Sequence, residues 1–208
     1  MQQDKFNSLR ESINLGFHLE NSDNLNSFKG EVFIKVVDKD GTVLHDIHKK
    51  NIITLDAGVL AAILLRDPSS RSNGINMLSV GTGATGAILS PDAPDSRQRK
   101  LNAEIARKTF SSTTFRDAGG NAVAIPTNIV DFTCTFDEGE AVGPLNEMGL
   151  LSTISDNIAI TNPNPNAFPT RDLTVDLTTY DILVNYLTFS VISKPSTARL
   201  TITWRITF

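Results

Sequence analysis

Apolar and polar residues alternate without a break from position 198 to position 208. Ala198, Leu200, Ile202, Trp204, Ile206 and Phe208 take one face; Arg199, Thr201, Thr203, Arg205 and Thr207 take the other. A period of two predicts a strand with one buried face, placing Trp204 and Phe208 in a core or a subunit interface. Residues 181–192 are apolar on both faces and predict a central strand, joined to the last one by a hairpin loop at Lys194-Pro195-Ser196. Val32, Ile34 and Val36 alternate with Phe33, Lys35 and Val37. Asp38-Lys39-Asp40-Gly41 then offers turn chemistry, because Asp-Gly readily takes positive φ. Residues 31–53 therefore read as a hairpin whose return strand runs from 42 to 53. Further strands are predicted at 75–80, 105–115, 123–136 and 145–153. In 123–136, Val130, Phe132, Cys134 and Phe136 share a face opposite Asp131, Thr133 and Thr135.

One stretch has a different rhythm. Ala57 to Leu65 is dense in Ala, Leu and Ile, with Thr54 placed as N-cap, Asp56 in the first turn and Arg66-Asp67-Pro68 as a stop. Its apolar residues point nearly all round, which predicts a helix buried between sheet layers or between subunits. Residues 81–95 read as loop, 96–107 as a turn running into strand, and 161–170, with Pro163, Pro165 and Pro169, as loop. No repeat of 20–50 residues occurs. The fold expected is mainly β: an antiparallel β-sandwich-like domain over 31–208, with one buried helix and an extended N-terminal arm.

Residues 1–30 form that arm. They are rich in Asn and Ser, with Leu9, Ile13 and Phe17 spaced for one face of a weak helix. Ordering a residue costs roughly 1–2 kcal/mol, and burying each of three such side chains returns only about 1.5–3 kcal/mol. The arm is therefore expected to lie on another subunit, with Leu9, Ile13 and Phe17 as its partner-binding residues.

Composition narrows the class. Thr (21), Ser (17) and Asn (17) dominate the polar residues, a bias towards strands and turns. The net charge of -4 argues against a dedicated nucleic-acid binder. No apolar run is long enough to span a bilayer, and Met1 to Lys5 opens no signal-peptide core. Cys134 is the single cysteine, so no internal disulfide forms, as suits a reducing compartment.

Each candidate for chemistry has a plainer reading. Residues 81–86 match G-x-G-x-x-G after a predicted strand, but Pro91 and Pro94 forbid the helix that would receive a pyrophosphate. His45 and His48 face opposite sides of a strand and cannot share a metal. Asp137-Glu138-Gly139-Glu140 reads as an acidic turn rather than a Ca²⁺ site. Cys134 has no neighbouring base and reads as core. Arg97, Arg99, Lys100, Arg107 and Lys108 form a basic stretch, read as salt bridges to a neighbouring subunit. No catalytic, cofactor or metal residue is expected, and no membrane, nucleic-acid or small-molecule partner.

The order of short motifs is more specific. Asn51-Ile52-Ile53-Thr54-Leu55-Asp56-Ala57-Gly58 opens the helix; Val80-Gly81-Thr82-Gly83 follows, then Leu101-Asn102-Ala103-Glu104-Ile105-Ala106-Arg107, then Leu145-Asn146-Glu147-Met148-Gly149-Leu150, then Thr203-Trp204-Arg205-Ile206-Thr207-Phe208. Over roughly residues 50–208 this resembles tailed-bacteriophage virion structural proteins of the tail-fibre and tail-collar type. The resemblance implies a non-enzymatic, homo-oligomeric subunit of the tail, collar or baseplate, a fibre-attachment or adaptor protein. Its partners would be other virion proteins, and it would be assembled in the bacterial host cytoplasm. Two alternatives stand beside that role: a capsid decoration protein that clamps the shell, and a carbohydrate-binding module at the host surface.

Overall fold

A computed structural model gives the fold, and it describes residues 29–66, 74–153 and 181–208. In chain order the strands are β1 (Lys29–Asp38), β2 (Val43–Lys50), β3 (Ile52–Ile53), β4 (Met77–Gly81), β5 (Gly86–Ala87), β6 (Ser90–Pro91), β7 (Glu104–Thr109), β8 (Ser112–Arg116), β9 (Ala122–Val123), β10 (Ile129–Phe136), β11 (Gly143–Ser152), β12 (Ile182–Lys194) and β13 (Ala198–Thr207). Helix α1 (Leu55–Arg66) is the helix among the described residues. One antiparallel sheet has the order β2-β1-β13-β10-β8-β9; a second has the order β3-β12-β11-β4-β7. The chain is mainly β, as its periodicity predicts, and the two sheets share a core in a sandwich-like arrangement.

Register explains that core. Val32 pairs with Trp204 and Trp204 with Phe132; Ile34 pairs with Ile202 and Ile202 with Cys134; Val36 pairs with Leu200 and Leu200 with Phe136. Three strands thus present three apolar rows on one face. Against them pack Leu78 and Val80 of β4, Leu145, Met148 and Leu150 of β11, and Leu187 and Phe189 of β12.

The hairpin β1–β2 forms as expected, turning at Gly41 with φ 89°. Four expectations need correction. The return strand does not run on to 53: β2 ends at Lys50, and Ile52 and Ile53 join β12 in the other sheet. The strand expected at 105–115 is two strands, because the chain leaves β4 after Thr109 and joins β10 from Ser112. Lys194-Pro195-Ser196 is not a hairpin within a sheet; it is an arch from β12 in one sheet to β13 in the other. The strand expected at 123–136 is split: β9 ends at Val123, and β10, which pairs with β13, begins only at Ile129. Trp204 is fully buried as expected, while Phe208 is 49% exposed in the single chain.

Within the described residues the helix is buried on one side. Leu60 is buried, with Ala57, Ile63 and Leu64 packed on the shared core, but Leu55, Gly58, Ala61, Ala62 and Leu65 are exposed. The Thr54 hydroxyl does not act as a plain N-cap. It donates to the carbonyls of Leu183 and Val184, fastening the start of α1 to β12.

Candidate functional site

The residues of the G-x-G-x-x-G loop, of the Leu-Asn-Ala-Glu segment and of the Asn-Glu-Met-Gly segment meet at one buried carboxylate. Glu147 lies mid-way along β11 with 0% exposure. Its Oε1 accepts the N–H of Gly83 at 2.9 Å and of Ala103 at 2.8 Å. Its Oε2 accepts the N–H of Asn102 at 3.0 Å and the Tyr186 hydroxyl at 2.7 Å. A carboxylate has about four acceptor positions, and all are taken by the chain itself. Beside it, the Asn146 Oδ1 accepts the Ala84 N–H and the Asn102 Nδ2 donates to the Gly83 carbonyl. Glycine is required where these loops press together. A Cβ on Gly83 would sit 2.4 Å from the Ala103 nitrogen, and one on Gly81 would sit 2.5 Å from the Ala103 oxygen.

This arrangement reads as a structural clasp. The Gly83 and Ala84 N–H groups, which a phosphate would use, are held by Glu147 and Asn146, and the short hairpin β5–β6 follows where a dinucleotide fold would place a helix. Burial and the adjacent Glu147 charge push the Tyr186 hydroxyl well above its ordinary range, so it stays a donor.

The basic stretch turns inward. The buried Arg107 guanidinium donates to both oxygens of Glu104, at 2.6 and 2.9 Å, and to Asp181. Lys108 pairs with Glu140 and Asp137, and Arg99 lies 3.7 Å from Asp56. The expectation that these three residues bridge to a neighbouring subunit is thus corrected: the chain's own carboxylates lie beside them. Arg97 and Lys100 remain exposed.

The acidic turn lies in the link from β10 in one sheet to β11 in the other, a second arch. Asp137 also pairs with Arg199, while the buried Lys194 ammonium donates to the carbonyls of Asp137 and Ala198. Burial pulls the Lys194 ammonium below its ordinary range. Cys134 lies in the core and its thiol is pushed up to about 12, chiefly by burial. His45 pairs with Val36 and His48 with Phe33, on opposite faces of the sheet. Among the described residues no group of three or more His, Cys, Asp and Glu could hold a metal ion. No described helix is long and apolar enough to cross a membrane.

Sequence reading missed a row across the outer face of the first sheet. His48 stacks on Phe33 at 4.4 Å, and Arg205 lies over the Phe33 ring at 5.6 Å. Arg205 and Arg116 both pair with the buried Asp131. The signal was available in the alternation, which puts Asp131 and Arg205 on one face of adjacent strands. Every charge in the row has a partner, so the row holds the sheet face together.

Leu9, Ile13 and Phe17 lie outside the described residues. Among the described residues the open surface includes two apolar spots: the tip of hairpin β5–β6, with Ile88 72% and Leu89 80% exposed, and the outer side of α1, with Leu55 63% and Leu65 87% exposed. No family model and no curated protein matches the chain.

Proposed function

We propose that the chain is a non-enzymatic structural subunit of a tailed-bacteriophage virion, a fibre-attachment or adaptor protein of the tail, collar or baseplate. The observation that supports this reading is the convergence at Glu147. Three of the motifs carrying the resemblance supply its clasp: Gly81 and Gly83, Asn102 and Ala103, Asn146 and Glu147. What recurs in such proteins would then be the residues that lock a β scaffold, and not a reacting group. A carboxylate whose acceptor positions are all occupied by the chain's own donors serves folding better than acid–base catalysis.

A scaffold of this kind acts through its surface and copy number. The test is to purify virions encoding the chain, count it by quantitative mass spectrometry, and find a tagged copy by electron microscopy. A fixed number of copies at the tail, collar or baseplate is expected. Even coverage of the shell would select the decoration role, and absence from purified particles would overturn the proposal.

A further inference from the structure

We infer that the apolar stripe Leu9, Ile13 and Phe17 of one copy docks on the outer side of helix α1 of a neighbouring copy, an inference that rests on reading the chain as an assembly subunit. Helix α1 has no polar side. Its inner side packs against β12 and the core, Asp56 is buried, and positions 55, 58, 62 and 65 line the outer side with Leu, Gly, Ala and Leu. A helix apolar all round belongs in an interior, and with Leu65 87% exposed the described residues leave this one open on its outer side.

The shape of the face selects a protruding partner. Gly58 and Ala62 make a shallow row flanked by Leu55 and Leu65. Setting α1 against a second α1 would oppose small residues with small ones. Large residues at i, i+4 and i+8 form a ridge that fits between rows spaced by four, as in helix-on-helix packing. Leu9, Ile13 and Phe17 have that spacing.

The starting point of the segment agrees. The Asn51 N–H donates to the Gly30 carbonyl at 3.2 Å, and α1 begins four residues after Asn51. The start of β1, to which the preceding 28 residues are joined, is therefore hydrogen-bonded to a residue four positions before α1. From Lys29 back to Phe17 the chain reaches up to about 40 Å when extended, ample to cross to a neighbour.

Charge agrees as well. Residues 1–28 carry Asp4, Glu11, Glu20 and Asp23 against Lys5 and Arg10, a net -2. The rim of the α1 face carries exposed Arg66 at one end. At the other, the Leu55 N–H donates to the Ser96 carbonyl, whose neighbours Asp95 and Arg97 are both exposed, and Arg99 lies 3.7 Å from Asp56.

The full chain provides the test. One copy carries Phe17→Cys; a second copy, distinguished by a tag, carries Ala62→Cys. The buried Cys134 stays in place. After mixing and mild oxidation, a disulfide between positions 17 and 62 of different copies should exceed that of a Phe17→Cys and Lys39→Cys pair by about tenfold. Equal yields would overturn the inference, as would a link that forms only within one chain when a single chain carries both Phe17→Cys and Ala62→Cys. In parallel, sedimentation compares deletion of 1–28 with Ala62→Glu, each checked for a retained β spectrum. Both should reduce self-association and incorporation into particles by a similar factor. If only the deletion does so, the arm docks elsewhere and the virion reading stands. If neither does, while the chain is present in purified particles, the arm has no assembly role. If the chain is also absent from particles, the virion reading falls with it.

Discussion

The Glu147 clasp and the outer side of α1 treat their side chains in opposite ways. At the clasp, a buried charge has four donors from Gly83, Ala103, Asn102 and Tyr186. On α1, leucines and small residues face solvent with nothing from the described chain upon them. A satisfied interior and an unsatisfied exterior give different mutational signatures. Substitutions at the first should unfold the protein, whereas substitutions at the second should leave it folded and change what it joins.

The largest effect is expected at Glu147. Glu147→Ala leaves three N–H groups and a hydroxyl buried without an acceptor, each costing about 1–3 kcal/mol. Urea unfolding should show a loss of at least about 4 kcal/mol or failure to fold, with Glu147→Gln milder. A loss below about 1 kcal/mol would show that the clasp does not hold the loops. Trp204→Ala, which empties the middle of the shared core, should cost about 3–5 kcal/mol in the same experiment. A near-neutral result would contradict its place between Val32 and Phe132.

A smaller effect is set by pH. Burial holds the Glu104 carboxyl above its ordinary 4.5, against the pull of Arg107 and with the charges of Asp181 and Glu147 adding to the rise. A carboxyl whose folded pKa is raised binds its proton more tightly when folded. Its contribution is full below the unfolded value and is lost as pH rises through the folded one. Wild type should therefore lose stability relative to Glu104→Gln as pH climbs above about 4.5. Denaturant midpoints of the two proteins at several pH values check this, and the opposite slope would refute it. Cys134, with its thiol at about 12, should resist a water-soluble thiol reagent until the protein unfolds. Rapid labelling of the native chain would place it outside the core.

How far these regions were legible in the sequence follows from which forces are local. The alternation in 198–207 and 32–36 needs only the pleat and one buried face, and β13 and β1 form as read. Pro91 and Pro94 were enough to deny the glycine loop a following helix, and hairpin β5–β6 stands there. The arches were not legible, because a short link such as 195–197 reverses the chain equally well within a sheet or between two. Which occurs depends on partners far away in sequence, β11 for one strand and β1 and β10 for the other. The same holds at Phe110-Ser111, where one apolar run serves two sheets. Glu147 was hidden for a related reason. Its donors come from residues 83, 102, 103 and 186, and only a lone acid within an otherwise apolar central strand hinted at it. For α1, an apolar pattern all round pointed to burial, and the described residues provide it on one side.

The contrast comes to a single measurement on Ala62→Glu, a substitution at an exposed helix position where stability should change by less than about 0.5 kcal/mol. Its copy number in purified particles is to be counted by mass spectrometry beside its unfolding midpoint in solution. The account predicts an unchanged midpoint and at least a tenfold drop in copies per particle. An unchanged copy number would show that the outer side of α1 takes no part in assembly.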